Sequence, residues 1–171
     1  FDDRTSLLAG LRLDGFYAKA RDPLSDASGI DWHDSHHDTA LSWNASLVHR
    51  LSPRASLYAT WQRDYAVHGN VTGGGIMLKD DGTGNGVIDP ADFTNLSRLA
   101  EIGAKFSLLD NQLFAGVALF DQRREEAEIG GDIKNLKMRG AELEFVYQPD
   151  TRFNATFNVA LNDGRFDHSS A

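Results

Sequence analysis

Cysteine is absent from this chain of 171 residues, which excludes disulfide scaffolds, thiolate metal sites and cysteine nucleophiles. No apolar run approaches the roughly 18 residues that a membrane-crossing helix needs. The longest block, Phe114 to Phe120, is the length of a short strand. A helical membrane protein is therefore excluded, whereas a β-barrel is not, because barrel strands hide their membrane signal in alternation. Basic charge is scarce as well. Lys and Arg number 17 against 25 Asp and Glu, for a net charge of −8 and a pI of about 5.1. A polyanion needs a basic face, so no nucleic-acid partner is expected. The opening residues Phe1-Asp2-Asp3 carry neither a charged n-region nor an apolar h-region. The chain is thus expected to be processed, or excised from something longer.

What is present is period-two alternation, at lengths that matter. Leu7, Ala9, Leu11 and Leu13 share one face of a strand, with Gly10, Arg12 and Asp14 on the other. Leu41, Trp43, Ala45 and Leu47 oppose Ser42, Asn44 and Ser46; Leu57, Ala59 and Trp61 oppose Ser56, Thr60 and Gln62. Ile102, Ala104, Phe106 and Leu108 oppose Glu101, Gly103, Lys105 and Ser107. Leu113, Ala115, Val117 and Leu119 form an apolar face that Phe114 and Phe120 blur from the other side. Ala141, Leu143, Phe145 and Tyr147 oppose Gly140, Glu142 and Glu144, and Phe153 to Leu161 repeats the rule against Asn154, Thr156 and Asn158. That predicts about seven strands of roughly 10 to 12 residues, when soluble strands average about five or six and tilted membrane-spanning ones need about 9 to 11.

The connections alternate too. Leu51-Ser52-Pro53-Arg54, Leu109-Asp110-Asn111-Gln112 and Gln148-Pro149-Asp150-Thr151 are tight, with Pro, Asp and Asn turn chemistry. Between them lie long polar segments, Arg21 to Asp38, Ala66 to Arg98 and Arg123 to Asn135. Strict alternation of short and long connections is the habit of an outer-membrane barrel, with short periplasmic turns and long outer loops. The expected fold is all-β: antiparallel up-and-down strands of a transmembrane barrel, the apolar faces against lipid and the polar faces toward a lumen.

Leu8-Ala9-Gly10-Leu11-Arg12-Leu13-Asp14, and Leu51 to Thr60 with its tight turn and "LYAT" strand, resemble a barrel strand and a periplasmic turn with its following strand in the TonB-dependent receptors. Glu101-Ile102-Gly103-Ala104-Lys105-Phe106 looks like the family's "E-x-G-x-K" strand, Leu109 to Leu113 the turn after it, and Ala118-Leu119-Phe120 the next "A-x-F" strand. Arg139-Gly140-Ala141-Glu142-Leu143-Glu144 matches "R-G-x-E-L-E". In this order they cover nearly the whole chain. The resemblance implies that residues 1–171 are part of a single barrel domain of about 22 strands, the plug domain and terminal strands being absent. It also implies nutrient import across the outer membrane of a Gram-negative bacterium, for a ferric siderophore or similar scarce ligand, with no enzymatic activity. Energy would come from the periplasmic partner TonB, through the missing plug region. Ligand contacts are expected in the polar loops 21 to 38 and 66 to 98.

Two motifs point to ligands. Asp81, Thr83, Asn85, Val87 (by its carbonyl), Asp89 and Asp92 fit positions one, three, five, seven, nine and twelve of a calcium loop, with Gly86 at the sharp turn. Thr83 and Asp92 depart from the usual ligands, so an ion would be held weakly, with Kd on the order of 10⁻⁴ to 10⁻³ M; the competing reading is a Gly/Asp/Asn-rich loop without an ion. No cofactor is required and Ca2+ is the one candidate. His33, His36 and His37 sit at a spacing that suits a transition metal or an iron-bearing ligand, or simply a solvated loop. Gly73-Gly74-Gly75 lacks the strand-to-helix context of a phosphate loop. Glu142 and Glu144, about 7 Å apart by strand rise, read as lumen-wall residues rather than a hydrolytic pair. Trp43, Trp61, Tyr147 and Phe153 are expected to form interfacial girdles. Two rival readings are a porin and a soluble calcium-binding β-sandwich for adhesion or carbohydrate binding.

Overall fold

The computed structural model describes residues 3–23, 32–67, 78–89, 94–127 and 133–167. Nine strands follow in order: β1 (Thr5–Arg21), β2 (His33–Ser52), β3 (Ala55–Val67), β4 (Leu78–Asp80), β5 (Gly86–Ile88), β6 (Thr94–Leu108), β7 (Leu113–Ala127), β8 (Ile133–Asp150) and β9 (Phe153–Asp167). Seven of them build one sheet in the order β1-β2-β3-β6-β7-β8-β9, and β4 pairs only with β5. Every contact between neighbouring strands is antiparallel, so the chain runs up and down as its connections require.

The register gathers the seven apolar faces onto one side. A single row runs Leu7, Leu47, Ala59, Ile102, Leu119, Ala141 and Leu161, each the direct partner of the next. Nothing covers this side among the described residues: Leu11 is 81% exposed, Leu161 69%, Phe157 59% and Leu41 49%. A sandwich would place a second sheet about 10 Å away over these side chains, and among the described residues the only other strands are the three-residue β4 and β5. The sandwich alternative is therefore overturned. A face this large and this apolar stands exposed only when its solvent is itself apolar.

The edge of that face also gives the strand tilt. On β7, β8 and β9 the apolar positions end at Leu119, Ala141 and Leu161, whereas on β1 and β2 they continue for six more residues, to Leu13 and Leu41. Six residues are about 20 Å along a strand, and the six intervals from β1 to β9 are about 29 Å across the sheet. For the edge to lie level in a membrane the strands must lean by roughly 35°, within the range of transmembrane barrels.

The long strands run 13 to 20 residues, beyond the predicted length. The surplus comes from segments expected to be loops: His33–Asp38 belongs to β2, Thr94–Arg98 to β6 and Arg123–Ala127 to β7. The third tight turn also moves. Pro149, which has no N–H to give a ladder, falls where the β8–β9 register shifts between Tyr147 and Asp150. The reversal then occurs at Thr151-Arg152, where Asp150 Oδ1 accepts the N–H groups of Arg152 (2.7 Å) and Phe153 (3.1 Å).

Candidate functional site

The other side of the sheet is polar, and its charges are partnered across strands. Arg12, the one cation in the apolar run of β1, donates to Asp14 (2.7 Å), to Asp64 (3.0 Å) and to the Tyr65 carbonyl (2.8 Å). These bonds stitch a split. β2 and β3 pair from Ser52–Ala55 up to Trp43–Arg63 and no further, while β2 continues beside β1 and β3 beside β6. Just past the last pair, the buried Ser42 hydroxyl accepts the Tyr65 N–H at 3.0 Å, in place of a strand partner. Lower on the same side, Lys105 lies over the Tyr58 ring, 5.4 Å from its centroid, and Glu142 and Glu144 alternate onto this wall as expected.

At the end that carries the long connections, the β4–β5 hairpin folds over this polar side of β1 and β2. Ile88 is buried against Ala18, with Phe16, Ala20 and Leu78 around them. Asp34 Oδ2 accepts the Ile88 N–H at 2.7 Å, and the Trp32 indole donates to the Gly84 carbonyl at 2.9 Å. The Trp32 side chain lies so close to Gly86 that an added Cβ there would come within 2.9 Å of it. Glycine is thus required at position 86 for close approach. The segment 66 to 98, expected as a polar loop, is in part an anchored ribbon across the mouth of the polar face.

The hairpin's turn holds half of the proposed calcium loop together. Asp81 Oδ1 accepts from Thr83 Oγ1 (2.7 Å), from the Thr83 N–H (2.7 Å) and from the Asn85 N–H (3.2 Å), and the Asn85 amide reaches Thr83 Oγ1 at 2.9 Å. The Thr83 hydroxyl bond, followed by the backbone bonds, holds the Asp81 carboxyl down to about 2. The second half is drawn elsewhere. Asp89 is bonded to Lys79 Nζ at 3.0 Å, Val87 lies in β5 opposite Lys79, and Asp92 lies outside the described residues, as do Gly73-Gly74-Gly75. An ion at Asp81 would find three side chains gathered, and would have to draw Asp89 away from its lysine.

The histidines are not gathered. Alternation along β2 puts His33 and His37 on the side of the apolar face and His36 on the polar side, opposite Ala18. The His37 ring packs on Tyr17 at a centroid distance of 4.5 Å. Among the described residues no three His, Asp or Glu side chains come together as a metal site. The expected girdle aromatics do pair: Trp43 with Trp61 at one edge of the apolar band, and Tyr147 with Phe153, 6.1 Å apart, at the other. Sequence reasoning put Arg12 on the polar face of its strand and Trp32 and Asp34 in the stretch that carries the histidines, but gave none of the three a structural role. A lone arginine on an otherwise apolar strand was the available signal for the first; the other two act on partners more than 50 residues away and left no local trace.

Comparison with known proteins agrees with this architecture. No curated protein matches the sequence. Among solved structures, the ferric-catecholate import receptor Fiu from E. coli K12, in its closed form, superposes with a TM-score of 0.70 at 16% identity, over 98% of this chain and 26% of that one. The chain therefore spans about a quarter of that receptor's length, and at this identity the likeness is one of fold. The family described as TonB dependent receptor-like, beta-barrel matches residues 1–169. With an exposed apolar band on one side, a polar wall on the other and a family match along almost its whole length, the chain belongs to the TonB-dependent receptor family, as part of its β-barrel.

Proposed function

We propose that this chain forms part of the wall and outer mouth of a receptor that imports a scarce ligand, of the ferric siderophore kind, across the outer membrane of a Gram-negative bacterium. The observation that carries the reading is the β4–β5 hairpin anchored across the polar side of a sheet whose other side is an unbroken apolar band. Lipid takes the band, and the ligand passes along the polar side under the hairpin. The structural likeness to a ferric-catecholate receptor supports an iron chelate as the ligand class. The wall performs no reaction; the energy for passage reaches the ligand through the plug and the periplasmic TonB partner.

Uptake of radiolabelled ferric catecholate by iron-starved cells tests this. Deleting the gene that encodes the receptor should abolish the uptake, and deleting residues 78–89 alone should weaken ligand binding while leaving the barrel folded. A deletion strain that accumulates the chelate at the parental rate would overturn the ligand class. Quenching of Trp61 fluorescence by lipids brominated on their acyl chains tests the lipid-facing band separately.

A further inference from the structure

The hairpin that covers the polar side belongs, in sequence, to the connection between β3 and β6, yet its seat is on β1 and β2. Ile88 is sunk against Ala18, Asp34 Oδ2 accepts the Ile88 N–H, and the Trp32 indole donates to the Gly84 carbonyl while packing on Gly86. An apolar contact, two hydrogen bonds and a close approach to the backbone fix its position relative to β1 and β2. Where those two strands go, the hairpin goes.

Their upper halves are separable from the rest of the wall. β1 and β2 stay paired from Thr5–His49 to Arg21–His33, and β3 and β6 from Ala55–Phe106 to Val67–Thr94. Between the two pairs the ladder stops at Trp43–Arg63, although on the same register Ser42 to Thr39 would face Asp64 to Val67. The stop falls at the edge of the apolar band, where Trp43 meets Trp61. An unpaired strand edge is prohibitive in hydrocarbon, whereas above it water satisfies the exposed groups. Three side-chain bonds replace the ladder: the Tyr65 N–H to the Ser42 hydroxyl, and the Arg12 guanidinium to Asp64 and to the Tyr65 carbonyl. Arg63, at the last rung, turns to the Tyr65 hydroxyl of its own strand. Two stiff strand pairs joined by side chains above a continuous ladder have the form of a hinge. We propose that the upper halves of β1 and β2, with the hairpin seated on them, turn as one body about the Trp43–Arg63 rung, so that the mouth opens and closes by movement of the wall. This deepens the reading of the hairpin as the cover of the ligand's path, and rests on it.

The test uses the full-length receptor in lipid nanodiscs, with distances between spin labels read by pulsed electron paramagnetic resonance. The labelled positions, Lys19, Val87 and Arg98, are all exposed. Val87→Cys with Lys19→Cys spans the hairpin and β1; Val87→Cys with Arg98→Cys spans the hairpin and β6. Ser42→Ala with Arg12→Gln removes the three bonds. It should widen the Val87–Arg98 distribution by about 4.8 Å, one strand spacing, and leave Val87–Lys19 as narrow as in the wild type. Ser42→Ala alone, the milder variant, should widen the same pair by less. Asp34→Ala loosens only the seat, so it should widen Val87–Lys19 and leave a third pair, Lys19→Cys with Arg98→Cys, at its wild-type width. Equal widening of both hairpin pairs on loss of the three bonds would show a hairpin that moves by itself, and overturns the hinge, as does no widening of either. Unchanged ligand binding after deletion of residues 78–89 overturns the covering role instead, whatever the distances show.

Discussion

The indole rings of Trp43 and Trp61 meet edge to face, 5.2 Å between centroids and 77° between planes. They lie diagonally across β2 and β3 at the upper edge of the apolar band, where ring faces meet acyl chain and the N–H groups reach the headgroups. A double-mutant cycle with Leu at both positions should give a coupling of about 0.5 to 1.5 kcal/mol, read from urea midpoints of the receptor folded in lipid. No coupling would mean that the two rings anchor separately.

Leu143 and Glu142 are neighbours in β8 facing opposite solvents. Leu143→Arg, near the middle of the band, should cost about 2 to 4 kcal/mol and reduce the fraction of receptor that migrates as folded barrel without heating. Glu142→Arg should leave that fraction close to wild type. Equal losses from both would show that the two sides do not differ as described.

Two glycines on the polar wall lie under aromatic rings, with different prospects. A Cβ at Gly103 would come within 2.5 Å of the far end of the Tyr58 ring, which can swing away. At Gly140 it would meet Phe120 at 2.5 Å and also the backbone oxygen of Leu161 at 2.7 Å, which cannot move without parting β8 from β9. Gly140→Ala should therefore cost about 1 to 3 kcal/mol, more than Gly103→Ala, and Phe120→Ala should not rescue it.

Asp81 is held at about 2 against an ordinary 3.8. A carboxyl depressed in the folded state stabilises above its unfolded value and loses that contribution as pH falls through the folded one. Amide protection across residues 78–89, followed by hydrogen exchange, should persist from neutral pH to about 4 and fall away toward 2. Asp81→Asn should remove this acid dependence. Calcium in the loop is a proposal that the same measurement tests: millimolar calcium should raise protection in the wild type, most of all in Lys79→Ala, and not in Asp81→Asn.

The turn between β6 and β7 holds three consecutive non-glycine residues at positive φ, Leu109 (50°), Asp110 (53°) and Asn111 (68°). Asparagine tolerates this region and leucine does not, at a cost of about 1 to 2 kcal/mol. Asp110 is committed to Arg54 of the neighbouring turn at 2.9 Å. Leu109→Gly should thus stabilise by up to about 1 kcal/mol after its own entropy is subtracted, as a higher urea midpoint. A lower midpoint would show that the exposed leucine anchors the turn.

The strands and their two sides were legible because alternation is local, and it survives wherever one side needs lipid. Even the blurred segment makes sense, since Phe120 covers Gly140 on the polar wall. Strand ends were not legible. His33–Asp38 and Arg123–Ala127 rise above the band, where both sides are polar and the period-two signal fades. The β4–β5 ribbon was hidden for another reason: three-residue strands carry no pattern, and its anchors at Trp32 and Asp34 are remote in sequence. The separation of the histidines follows from the odd and even positions of β2, and was hidden together with that strand end.

Above Trp43 and Arg63 the wall has a seam. Below it, ladder bonds join every strand to the next; above it, β1–β2 and β3–β6 stand as two leaves, tied by the Ser42 hydroxyl and the Arg12 guanidinium. Any flexing of the outer rim is cheapest along that line, because three side-chain bonds yield where elsewhere a ladder would have to break. The leaf that swings carries the ribbon with it.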